Sequence, residues 1–119
     1  MGDAVWIVRL SAAADADFRQ IVGWTAENFG SIQARTYADT LSAALQALSA
    51  GPTITGVKER PEIASGIKML HVARQGRKGR HFVLFRAVSV DGHNHVEVLR
   101  LLHDSMDLKR HLSSENPGR

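Results

Sequence analysis

The run Arg80-His81-Phe82-Val83-Leu84-Phe85-Arg86-Ala87-Val88, the turn formers Asp91-Gly92-His93-Asn94 and the run Val96-Glu97-Val98-Leu99-Arg100-Leu101-Leu102 together decide the fold. Two runs rich in β-formers around a short Asp-Gly segment predict a β-hairpin, because Asp and Gly tolerate the positive φ that tight turns need. Upstream, Ile67 to Arg74 is a third run of this kind, joined to the second by Gln75-Gly76-Arg77-Lys78-Gly79. Adjacent hairpins predict an antiparallel meander.

Further upstream, Pro52 to Gly66 is rich in Gly, Pro and Thr, which predicts an irregular connection too long for a simple turn. Before it, Ala34, Tyr37, Ala38, Leu41, Ala44, Leu45 and Leu48 recur at helical spacing, and Gly51-Pro52 ends that helix. An earlier stripe of Phe18, Ile21, Val22, Thr25 and Phe29 leaves Arg19, Gln20 and Glu27 outside. Ser11 is placed to start this first helix, Asp15 and Asp17 favour its positive end, Gly30 stops it, and Ser31 is placed to cap the next. The small Ala residues permit close approach of the helices to a sheet or to each other. Val5 to Leu10 suits a strand buried on most of both faces. Downstream, Met106 to Leu112 predicts a short last helix capped by Asp104 or Ser105.

The order β-α-α-β-β-β predicts an α+β domain, with a helical hairpin packed on one face of a twisted, mainly antiparallel sheet. Residues 1–112 form this single domain and residues 113–119 a flexible polar tail. The opposite face of the sheet is expected to be partly open, a concave surface where Arg and His of neighbouring strands gather.

Charge is polarised along the chain. Residues 1–57 carry three Lys or Arg against five Asp or Glu, whereas residues 58–111 carry eleven against six. All six His (71, 81, 93, 95, 103 and 111) also lie in the basic half. An anionic partner is therefore expected, either a polyanion or an acidic protein. The 119 residues suffice for one core without metals or disulfides, and zero Cys excludes thiol chemistry. No signal-like or membrane-length apolar run is present, so a cytoplasmic protein without membrane contact is expected. No motif calls for a cofactor.

These features resemble the RelE/ParE superfamily of toxins from bacterial type II toxin-antitoxin modules, over Val5 to about Leu112. The helical hairpin with Tyr37 and Leu45, the strand Arg80 to Arg86 and the ending Val96 to Asp107 carry the resemblance, the last most specifically. It implies a basic toxin silenced by a cognate, ParD-like antitoxin whose acidic C-terminal segment wraps the hairpin and the sheet. RelE-like members cut messenger RNA on the ribosome, whereas ParE-like members share the fold, poison DNA gyrase and lack the nuclease residues.

Metal-independent RNA cleavage needs a base for the 2′-hydroxyl, an acid for the leaving oxygen and cations for the phosphate. RelE-like enzymes typically take these from Arg, Lys, His and a late Tyr. Here the only Tyr is Tyr37, Phe82 occupies the strand position where a phosphate-gripping Arg often stands, and Asp104 and Asp107 follow His103. The resemblance therefore points to the ParE-like branch: a gyrase inhibitor, more readily a non-enzyme, meeting nucleic acid only through its target complex. The alternatives are a metal-independent endoribonuclease using His103, Arg86 and Arg100, and a non-toxic module that only binds its antitoxin.

Candidate contacts to antitoxin or target are Arg74, Arg80, Arg86, Arg100, His103 and Asp107. Each has a structural alternative. His103 can serve as a turn residue bonded to Asp104 or Asp107, Asp104 and Asp107 can favour a helix start, and Arg86 and Arg100 can pair across strands with Glu97. Arg74, Arg77, Lys78 and Arg80 can grip phosphates or merely keep a strand edge soluble. His93-Asn94-His95 offers too few ligands for a metal. Trp6, Trp24 and Phe85 are expected as core or interface anchors.

Overall fold

A computed structural model describes residues 5–105. Strand β1 (Ile7–Leu10) leads into helices α1 (Ala12–Phe29) and α2 (Ser31–Ala47), a 3-10 turn (Leu48–Ala50), and strands β2 (Lys58–Glu59), β3 (Lys68–His71), β4 (His81–Val90) and β5 (His93–His103). The sheet order is β1-β5-β4-β3-β2; β1 runs parallel to β5 and every other pairing is antiparallel. The α+β expectation holds, with one strand more than expected: β2 forms inside the segment read as irregular. The predicted helix from Met106 and the tail lie outside the described residues.

Ser11 caps α1 as its position predicts. Its hydroxyl accepts from Ala14 N at 3.0 Å and donates to the Leu99 carbonyl at 2.9 Å, so one side chain both starts the helix and anchors it to β5. Gly30, at φ 94°, ends α1 and is itself the N-cap of α2; Ser31 lies inside α2 and makes no side-chain cap. The tight turn of the β4–β5 hairpin uses Asp91 and Gly92, both at positive φ.

The core between helices and sheet joins Ala14, Leu41, Ala44 and Leu48 to Leu70, Val72, Val83, Phe85, Val96, Val98 and Leu101. Ala14 and Ala44 are fully enclosed, the close helix packing that small residues permit. A bulge between Leu84 and Phe85 shifts the register so that Leu84 pairs with Arg100 and Phe85 with Val98. The buried phase of β5 accordingly slips from Val96 and Val98 to Leu101.

Two expectations are corrected. β1 is an edge strand, with Val5, Ile7 and Leu10 exposed, because only β5 pairs with it. The face away from the helices is not a concave basic surface. Strand alternation sends Phe82 and Leu84 there, and they pack with Ile63, Ile67, Met69, Leu99 and Leu102 as a second apolar cluster.

Candidate functional site

Four elements bring a polar network to one end of the sheet. β4 opens with His81 beside His103, the last residue of β5; β3 ends at His71, opposite Phe82; and α2 presents Tyr37 to His81. The Arg80 backbone N–H donates to the Tyr37 oxygen at 3.1 Å, and the same phenolic group shares a hydrogen bond of 2.6 Å with His81 Nδ1. His81 is a neutral imidazole at neutral pH. Burial first, then the neighbouring His103, lowers its pKa to about 4. Burial likewise raises the pKa of Tyr37.

The second part of the network is a carboxylate clamp. Asp104 accepts from Arg80 Nε at 3.0 and 3.1 Å and pairs with His71 Nε2 at 2.9 Å, while its own N–H donates to the Arg80 carbonyl at 2.7 Å. The Ala73 N–H donates to His71 Nδ1 at 3.0 Å, so His71 turns its Nε2–H toward Asp104. The hydrogen bonds from Arg80 and His71 hold the Asp104 pKa down to about 2. His103 Nδ1 accepts from the Ser105 N–H at 3.1 Å and meets its hydroxyl at 2.8 Å, the turn role open to it from the sequence. The His81 and His103 rings stand edge to face at 5.2 Å.

The network floors an open cleft of about 630 Å³, walled by Ile21, Trp24, Phe29 and Tyr37. Trp24 and Phe29 touch edge to face at 5.7 Å, yet are 58% and 62% exposed. Phe29 departs from its expected place in the buried stripe, and the exposure of Trp24 leaves the interface option of its two expected roles as an anchor.

The predicted contact residues do not converge. Arg80 is bound to Asp104, Arg86 Nε to its cross-strand neighbour Glu97 at 2.7 Å, and Arg100 to Asp17 of α1 at 2.8 Å. Glu97 is thus the partner of Arg86 and not of Arg100, since Glu97 lies directly opposite Arg86 in the ladder. Arg74 donates to the Thr55 carbonyl at 3.3 Å, and Asp107 lies outside the described residues. Sequence reasoning missed Tyr37, His71 and His81 as members of one network. The basic turn Gln75–Gly79, which folds β4 back so that Gly79 lies against Tyr37, was the available signal. Among the described residues no group of three or more His, Cys, Asp or Glu is placed to hold a metal, and no helix is long and apolar enough to cross a membrane.

This arrangement of a helical hairpin on a mixed sheet is shared with solved bacterial toxins. A chain of the chromosomal ParDE toxin-antitoxin system from P. aeruginosa superposes with a TM-score of 0.64 at 18% identity, covering 84% of this chain and 97% of that one. A YoeB/ParE toxin from Agrobacterium tumefaciens superposes with a TM-score of 0.57 at 8% identity, covering 82% and 96%. At such identities the likeness concerns the fold. Membership is carried by the sequence family described as the ParE toxin of the type II toxin-antitoxin system, parDE, which matches residues 8–108; the chain belongs to that family. No curated protein sequence matches the chain.

Proposed function

We propose that the protein is a toxin that inhibits DNA gyrase and is neutralised in the cytoplasm by a cognate antitoxin. The observation that carries this reading is how the strand cations are used. Arg80, Arg86 and Arg100 each engage an internal carboxylate, and Phe82 packs in the second apolar cluster, so no set of strand cations converges on one phosphate as RNA cleavage requires. The family match and the ParDE neighbour supply the antitoxin partner.

The antitoxin surface centres on the hairpin end, where Trp24, Phe29 and Ile32 are exposed and no element among the described residues covers them. Aromatic side chains left in water at this density suit a partner's apolar segment. Arg74, Arg80 and Arg86 form the cationic contacts. The Arg86–Glu97 pair is about half exposed, so an incoming carboxylate can replace Glu97 at little cost. Purified protein is expected to block supercoiling by gyrase, and co-expressed antitoxin to restore it. Full gyrase activity at saturating protein, together with codon-positioned cleavage of translated mRNA, would transfer the chain to the ribonuclease branch.

A further inference from the structure

The cleft above continues into a second groove of different character. Thr25, Phe29 and Tyr37 line both, and the second adds Gln33, Thr36, Arg77 and Lys78. Among the described residues no Asp or Glu lines either part. The cations differ in kind from those of the strands. Arg77 and Lys78 are exposed and engage no carboxylate among the described residues, whereas Arg80 at the rim is held by Asp104.

We propose that this groove binds single-stranded nucleic acid directly, with bases against the Trp24–Phe29 end and phosphates on Arg77 and Lys78. The two ends divide the ligand's chemistry between them. Five of the ten residues lining the first cleft carry rings (Trp24, Phe29, Tyr37, His81 and His103), and planar faces accept any base by stacking. His81 is uncharged there and the one cation of this end, Arg80, is already held by Asp104, so the end offers mainly a ring-lined surface to a base. The other end offers two unspent cations and the polar side chains of Gln33 and Thr36, with no anion to repel a backbone. An acidic peptide would meet the cations equally well but would gain less from ring faces in an open cleft. The assignment stands apart from the gyrase reading, since it concerns direct contact with a strand and holds whether or not gyrase is the target.

The test is fluorescence anisotropy of labelled twelve-nucleotide oligothymidine and oligouridine, titrated with the full chain from about 50 mM salt upward. Binding to either strand is expected, with affinity falling linearly on a log–log salt plot. Arg77→Glu with Lys78→Glu should weaken it at least tenfold, and Arg77→Gln with Lys78→Gln should lower the salt slope by about 1.4, roughly 0.7 per lost phosphate contact. Trp24→Leu should weaken binding about tenfold and leave the salt slope unchanged. Circular dichroism verifies that each variant is folded, and the Gln pair serves if the Glu pair is not. Absence of binding at the lowest salt, or binding indifferent to all these changes, overturns the proposal. So does tighter binding of a polyglutamate peptide that displaces the oligonucleotide, which would assign the groove to an acidic polypeptide.

Discussion

Asp17 on α1 grips Arg100 on β5 with both carboxylate oxygens, Oδ2 at 2.8 Å from Nε and Oδ1 at 3.0 Å from Nη2, and Oδ2 also accepts the Leu101 backbone N–H at 2.9 Å. Asp17 is 8% exposed. One carboxylate thus ties the helical layer to the bulged strand and satisfies a main-chain donor of β5 beyond the end of its pairing with β1 at Val98. Asp17→Ala removes both side-chain bonds to a poorly solvated guanidinium and leaves that N–H without its acceptor, and should destabilise the fold by about 3 kcal/mol. Arg86→Ala removes only an exposed cross-strand pair and should cost under about 1 kcal/mol. Urea midpoints at unchanged m-value measure the contrast; equal losses would mean the buried pair contributes no more than the exposed one.

The burial of His81 sets a pH dependence. The folded pKa of His81, about 4, lies below the unfolded value of 6.5 given for an ordinary His. Between those values the unfolded chain binds the proton and the folded chain does not, so this group's contribution to stability is complete above about pH 6.5 and shrinks as pH falls toward 4. Chemical denaturation across that window should show stability declining with acid, and His81→Gln should flatten the slope. The His81 ring resonance should titrate near pH 4; a midpoint near 6.5 would contradict the burial of the ring.

Gly79 is irreplaceable for a steric reason. A Cβ there would lie 2.6 Å from Val72 Cγ2 and 2.9 Å from both Tyr37 Cε1 and its hydroxyl. Gly79→Ala should therefore destabilise by about 1–3 kcal/mol and move the His81 titration, because Tyr37 has to yield. Gly23, inside α1, has no atom within 4 Å of the equivalent position. Gly23→Ala should stabilise by about 0.5–1 kcal/mol through helix propensity alone. Thermal midpoints moving in opposite directions are the expected result.

The elements were legible wherever local chemistry settles them. Ser11 as a cap, Gly30 as a stop and Asp91-Gly92 as a hairpin turn each follow from a backbone requirement that one residue type meets, and each was found in the expected region. Ser31 failed as a cap because Gly30 serves both helices, a choice between neighbours that propensity does not rank. The site was less legible because its bonds span the chain. Tyr37 meets His81 across 44 positions, and Asp17 meets Arg100 across 83. Helical periodicity placed Tyr37 on the packing stripe correctly but says nothing of which polar atom its hydroxyl will find. The Arg86–Glu97 pair was one of the two readings open from the sequence because both residues lie in one hairpin, whereas Asp17 as the partner of Arg100 comes from a helix whose packing the sequence pattern does not fix.

The exposed aromatics of α1 separate folding from recognition. Trp24 and Phe29 contact each other but are more than half exposed, so removing them together sacrifices little core. Trp24→Ala with Phe29→Ala should leave the urea midpoint within about 0.5 kcal/mol of the parent, as surface substitutions do. As anchors at the centre of the proposed antitoxin surface, the same pair should cost at least about 2 kcal/mol of complex stability, near thirtyfold in Kd. Calorimetry with the purified antitoxin measures that loss. Arg86→Glu is the control at the charged edge, and should change the association rate and its salt dependence more than the dissociation rate. If the aromatic pair leaves affinity intact while Arg86→Glu abolishes it, the antitoxin rests on the strands and not on the hairpin, and the apolar end of the groove serves another ligand.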